Sequence, residues 1–242
     1  MKKIYFLALS CATLLGIASC DPGENMNQQV LSGYFTITGS YPNYKLISDL
    51  DGTIVYPSTE NIYKVNDGEG FDNHKRAYLD VYFYEADVTT TNNVSVIRNA
   101  EIKNGSYLTE STAISKEEAD KANITAPDSI FSINSIDRCW LAYGYLNAIF
   151  IADYSLDSLN KGIIPGVKLC VTNTADNAVT LTMLYNRHTD KNAKYSTSIF
   201  DYSFDISKLN IPGNDSVSVT FETRGQDKST IKVPRTIFNY AQ

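Results

Sequence analysis

Few residues in this chain are of a type and spacing that could do chemistry. Asp49 and Asp51 stand two apart behind the apolar run Leu46-Ile47, where two carboxylates could hold a divalent cation or divide acid and base work. Asp67, Glu69 and Asp72 lie in the glycine-bearing stretch NDGEGFDN, whose hard oxygen ligands could wrap a calcium ion or form a solvated acidic loop. The spacing is not that of an EF-hand. His74 and His188 are the only histidines, which excludes a three-histidine zinc site. Cys139 lies between Arg138 and Trp140 and Cys170 between Leu169 and Val171, in apolar strands that show no electropositive cluster to activate a thiol. They read as two small hydrophobes, or as a disulfide closing a loop of about 30 residues and contributing roughly 3 to 4 kcal/mol. Tyr78, Tyr82 and Tyr84 share one face of an alternating run, an aromatic strip that could contact a sugar ring or a protein, or simply wall a barrel.

Residues 46 to 55, LISDLDGTIV, resemble the first motif of the haloacid dehalogenase superfamily of phosphatases and phosphomutases. The resemblance implies that Asp49 attacks a phosphoryl group, that Asp51 shuttles protons, and that Mg²⁺ sits between them. The rest of the chain does not support this. Such chemistry needs a parallel α/β sheet, with the motif at the carboxyl end of a strand and a later acidic pair. The sequence has no Asp-Asp pair and no GDxxxD, and only one segment reads as a helix. Asp51-Gly52 between two alternating runs is a strong hairpin signal, with glycine supplying the positive φ. No GxSxG elbow, Walker loop or GxGxxG occurs. The expectation is a non-enzymatic chain with no cofactor, in which Asp49 and Asp51 are turn residues; a Mg²⁺ phosphatase is the remote alternative.

The elements that must position these residues are almost all strands. Short β-rich runs, among them YFTITG, YKLIS, GTIVYP, YLDVYFYE and VSVIRNAEI, are cut by turn residues. In residues 78 to 85 the alternation places Leu79, Val81 and Phe83 on a core face opposite the tyrosines. One helix is predicted, with Ser115 as N-cap and Glu118 completing a capping box, ending near Lys121 before the breakers Ala126-Pro127-Asp128. Further strands resume at RCWLAYGY and NAIFIADYS and continue to STIKVP. The spacing predicts an all-β protein: a small barrel over 31–115, a linker with the short helix over 116–130, and a β-sandwich over 131–242.

The first twenty residues form an address. Lys2 and Lys3 precede an apolar stretch from Ile4 to Ile17 that is too short to span a bilayer, and Ile17-Ala18-Ser19-Cys20 resembles the lipobox of bacterial lipoproteins. That resemblance implies a signal peptide over 1–19 and diacylglycerol on the sulfur of Cys20, a two-chain anchor strong enough for stable membrane attachment. Residues 20–30, polar and rich in breakers, read as a tether. Signal removal takes away two lysines and no acid, so an already negative formal charge of −6 falls further. An acidic chain is a poor partner for a phosphate backbone, and nucleic acid is not expected. Aromatic residues at 12 % and charged residues at 20 % argue against disorder and coiled coil.

The whole chain resembles the NigD-like lipoproteins of Bacteroidota. The likeness rests on the order of loose strand patterns: the lipobox at Cys20, GYFTITG, WLAYGYLNAIF at 140 to 150, LTMLYNRHTDKN at 181 to 192 and FDYSFDISKL at 200 to 209. It implies an OB-type barrel followed by a β-sandwich, and a bacteriocin-immunity role, with no catalytic residues to carry over. The expected protein is a lipid-anchored envelope protein, at the outer membrane on its periplasmic or surface face. Its expected partner is a secreted protein; the alternative is a surface glycan bound through Tyr78, Tyr82 and Tyr84.

Overall fold

The computed structural model describes residues 28–60, 70–121, 135–155, 166–175, 178–186, 195–207, 216–221 and 229–234. The first sheet holds β1 (Gln28–Ser40), β2 (Asn43–Ser48), β3 (Ile54–Pro57), β4 (Arg76–Tyr84), β5 (Val88–Thr91) and β6 (Val94–Tyr107). Its order is β3-β2-β1-β4-β6-β5, and a parallel pairing of β3 with β6 closes five of these strands into a barrel. This connectivity is the OB-type barrel expected from the resemblance. Long β1 makes closure possible by pairing with β4 over Gln28–Thr36 and with β2 over Phe35–Ser40. The alternation read from the sequence holds on β4: Leu79, Val81 and Phe83 are buried with Phe35, Leu46, Val55 and Ile102, while the tyrosines face outward.

The chain then enters β7 (Thr109–Thr112) and α1 (Lys116–Lys121). The capping box is present: Ser115 Oγ accepts from the Glu118 amide at 3.2 Å, and Glu118 Oε2 accepts from the Ser115 amide at 2.7 Å. The Ser115 amide, and then the Ser115 hydroxyl, donate to Oε2 and hold the Glu118 carboxyl below its usual pKa. The later strands are β8 (Ser135–Ala142), β9 (Tyr145–Ser155), β10 (Gly166–Ala175), β11 (Ala178–Asn186), β12 (Tyr195–Asp205), β13 (Ser216–Phe221) and β14 (Ser229–Pro234). They form two four-stranded sheets, β7-β12-β9-β8 and β10-β11-β13-β14. Leu146, Ala148 and Phe150 of β9, Tyr202 and Phe204 of β12, and Leu169 and Leu181 of the second sheet share one apolar core, as a sandwich requires.

Two strands reach across the spans predicted for the domains. β1 already begins at Gln28, inside the segment read as tether. β7 lies within the barrel span yet pairs in parallel with β12 of the sandwich. Just beyond it, Ile114 donates to the Leu169 carbonyl at 2.8 Å and accepts from Val171 at 3.0 Å, so this segment links one sheet edge to the other. Among the described residues no helix is long and apolar enough to cross a membrane.

Candidate functional site

Asp49 and Asp51 occupy the five-residue connection, 49–53, between β2 and β3. Ser48 donates to the Thr53 carbonyl at 2.9 Å and Gly52, at φ 74°, donates to the Ser48 carbonyl at 3.0 Å. The loop is thus a hairpin turn, longer than the two-residue form that Asp-Gly favours. Asp51 is exposed and turns back on its own backbone: Oδ1 accepts from the Thr53 amide at 3.0 Å and Oδ2 from the Thr53 hydroxyl at 2.8 Å. Asp49 is buried and points the other way, into the seam between barrel and sandwich.

Arg76, at the start of β4, is its partner and has no exposed surface. All five guanidinium N–H groups are engaged, the full capacity of that side chain. Nη1 donates to Asp49 Oδ1 at 2.7 Å and to the Thr36 hydroxyl; Nη2 donates to Asp49 Oδ2 and to Asn147 Oδ1, the latter at 2.9 Å; Nε donates to Ser203 Oγ at 3.2 Å. Ser203 Oγ donates to Asn147 Oδ1 at 2.8 Å, and Trp140 Nε1 donates to Asp49 Oδ2 at 2.8 Å. The Tyr145 ring lies 5.3 Å from the guanidinium carbon. Thr36, Asp49 and Arg76 come from the barrel, whereas Trp140, Asn147, Ser203 and Tyr145 come from β8, β9 and β12. The register explains the second group, since Asn147 pairs with both Trp140 and Ser203, placing three side chains in one row.

A second contact crosses the seam. Tyr34 on β1 donates its hydroxyl to Asp201 Oδ2 at 2.9 Å, and its ring meets Trp140 and Tyr78 at centroid distances of 4.7 and 5.1 Å. Burial first, then the Asp201 charge, pushes the Tyr34 phenol pKa up. Burial likewise raises Asp201, against the opposing pull of the Tyr34 bond and Arg76. Asp201 Oδ1 is buried with no hydrogen-bond partner among the described residues. Glu110, next to the seam, accepts the backbone amides of Lys75 and Arg76 at 2.6 and 3.0 Å.

This arrangement gives Asp49 a partner in the seam instead of the open position that the motif's phosphoryl-transfer role requires. Both oxygens of Asp49 are committed to Arg76, and one also to Trp140, which leaves the carboxylate poorly placed for attack. Asp51 faces away from it, and no group of three or more His, Cys, Asp or Glu is placed to hold a metal ion among the described residues. The tyrosine strip divides. Tyr78, opposite Tyr34 in the register, belongs to the seam, while Tyr82 opposes Val30 and Tyr84 opposes Gln28 towards the beginning of β1. Lys103 Nζ stands 4.4 Å above the Tyr82 ring.

Of the two readings of Cys139 and Cys170, a bridge or a pair of small hydrophobes, the structure forms no bridge and carries them on β8 of one sheet and β10 of the other. Cys170 is buried and Cys139 packs against the sandwich core, where burial raises its pKa to about 12, so both serve as small hydrophobes. Asp72 accepts the Tyr44 hydroxyl, and His74 stacks on Tyr107 at 3.5 Å. Cys20, Asp67, Glu69 and His188 lie outside the described residues. Arg76, Asn147 and Ser203 escaped the sequence reading because each is an isolated polar residue in a strand. One signal was available in Arg76, a charge next to Ala77 at the head of a run whose alternate residues are core.

No family model matches the chain and no curated protein matches it. Solved structures do share its fold. A protein of unknown function from Bacteroides vulgatus superposes with a TM-score of 0.56 at 14% identity, covering 87% of this chain and 93% of its own. A candidate lipoprotein from Bacteroides fragilis gives 0.54 at 9% identity, covering 86% and 98%. A NigD-like immunity protein from Bacteroides caccae gives 0.50 at 14% identity, covering 84% and 90%. None of the three is described as an enzyme, and at these identities the likeness concerns the fold.

Proposed function

We propose that this chain is a non-enzymatic lipoprotein of the cell envelope, held by a lipid on Cys20 at the outer membrane, that binds a secreted protein partner. The observation that carries the reading is the closure of Asp49: the one motif with catalytic spacing is used to join two domains. The lipobox-like Ile17-Ala18-Ser19-Cys20 supports the anchor. The fold shared with a NigD-like immunity protein supports protection against a bacteriocin as the role of that binding. The sugar-binding alternative gains nothing from the strip, because Lys103 lies over Tyr82 and Tyr34 packs on Tyr78.

The test is capture. Residues 25 to 242, immobilised without Cys20 and exposed to the secreted and envelope proteins of the source cell, retain a stoichiometric secreted polypeptide through high salt. An empty lane at low and high salt overturns the protein-binding reading. Unchanged toxin sensitivity in a deletion strain removes the immunity role alone.

A further inference from the structure

We infer that the end of the barrel where β1 begins is a membrane-apposed surface, on which Val30, Tyr82 and Tyr84, flanked by Lys103, rest in the headgroup layer of a zwitterionic phospholipid bilayer. The inference rests on the lipid anchor proposed for Cys20.

Chain length sets the geometry. Gln28, the first residue of β1, follows Cys20 by eight residues, which reach at most about 28 Å in any conformation. Whatever holds Cys20 in a bilayer therefore keeps this end of the barrel near the same surface, at high effective concentration, so even a weak surface affinity is expressed.

The residues at that end suit such a layer. Gln28 pairs with Tyr84 and Val30 with Tyr82, and Val30 is 53% exposed. Their neighbours Leu31, Val81 and Phe83 take the opposite, inward face, so the strip cannot be withdrawn into the core. Tyrosine has an apolar ring and a polar tip, the combination favoured where hydrocarbon meets headgroup. Lys103 lays its chain over Tyr82, with Nζ 3.2 Å from Gln28 Oε1, and lysine characteristically covers apolar surface while its charge stays in water. Glu85 and Asp87 follow Tyr84 directly, and Glu101 pairs with Tyr82. These acids disfavour a strongly anionic surface, which is why the occupant is a zwitterionic interface.

Tyr41, 51% exposed in the turn that follows the other end of β1, supplies an internal control. The mature chain, lipidated on Cys20, is placed in phosphatidylcholine vesicles, and hydroxyl-radical labelling of side chains is read by mass spectrometry. The comparison is the same chain with Cys20→Ser and the same vesicles. Several-fold protection of Val30, Tyr82 and Tyr84 in the anchored chain, with Tyr41 unchanged, is the expected result. Equal labelling in both chains, or protection that includes Tyr41, overturns the inference. The intact mass of the protein from native membranes tests the anchor separately. If Cys20 carries no lipid there, the lipoprotein reading fails, while coupling Cys20 to a maleimide lipid still tests the surface.

Discussion

The interiors of the two domains and the seam between them are both buried, but they are buried by opposite means. The barrel core around Phe35, Leu79 and Ile102 and the sandwich core around Leu146, Phe150 and Phe204 are apolar and non-directional. The seam is built from Thr36, Asp49, Arg76, Asn147 and Ser203, all buried and joined by directional bonds. An apolar core tolerates a change of shape if volume is kept, whereas a saturated polar network has one satisfied arrangement and every loss leaves a buried group unpaired. Substitutions that are mild in one region should therefore be severe in the other.

The largest effect is expected from Asp49→Ala, which leaves the Arg76 guanidinium buried without its counter-charge and costs about 3–5 kcal/mol in urea unfolding. Trp140, the single tryptophan, donates to Asp49 and so reports the seam by its fluorescence. A loss below about 1 kcal/mol would mean the pair is not what holds the seam. The double change Asp49→Leu with Arg76→Met removes both charges together and should recover part of that loss, because no uncompensated ion remains, although Thr36, Asn147 and Trp140 each lose a partner.

Next comes a matched pair of conservative changes. Arg76→Lys keeps the charge but abandons the fork that reaches four partners, at a cost on the order of 2 kcal/mol. Leu79→Met in the barrel core should cost less than about 1.5 kcal/mol. Equal thermal shifts for these two would break the contrast. Two residues from Asp49, Asp51→Ala removes only exposed turn bonds to Thr53 and should cost about 1 kcal/mol or less.

The smallest effect is a pH dependence at Asp201. Burial raises its pKa in the folded protein, so the folded state holds the proton more tightly than the unfolded chain does. Stability from this group is then fully present below the unfolded carboxyl pKa and declines as pH rises through the folded one. Asp201→Asn cannot ionise, so its stability relative to the unsubstituted protein should improve between about pH 4 and pH 7. A difference that is flat or of opposite sign would show that Asp201 is better solvated than its buried oxygen implies.

Local patterns were legible wherever one strand or one turn of helix carries the information. Alternation assigned Leu79, Val81 and Phe83 to the core, and the Ser115 to Glu118 spacing marked the capping box. Asp51 was correctly read as a turn residue, since its partner Thr53 is two positions away. Asp49 was read as a turn residue too, which is half of the answer. Its partners are 27 and 91 positions distant, and nothing in LISDLDGTIV says which of the two aspartates faces inward. The tyrosines share the outward face that alternation predicts, but alternation does not say what they meet: Tyr34 packs on Tyr78, and Lys103 stands over Tyr82.

By itself the sequence determined that strands dominate, where they alternate, which end carries an anchor-like signal, and that no catalytic code accompanies the aspartate pair. These follow from periodicity and residue type, properties set within a few residues of chain. Only the tertiary structure decided that β7 is spent on the sandwich, that Cys139 and Cys170 fall on different sheets, and that Asp49 is buried against Arg76 and Trp140. Pairing between distant strands fixes those outcomes, and a buried charge finds its partner through that pairing because leaving it unpaired in a low-dielectric seam costs more than any local turn preference can supply.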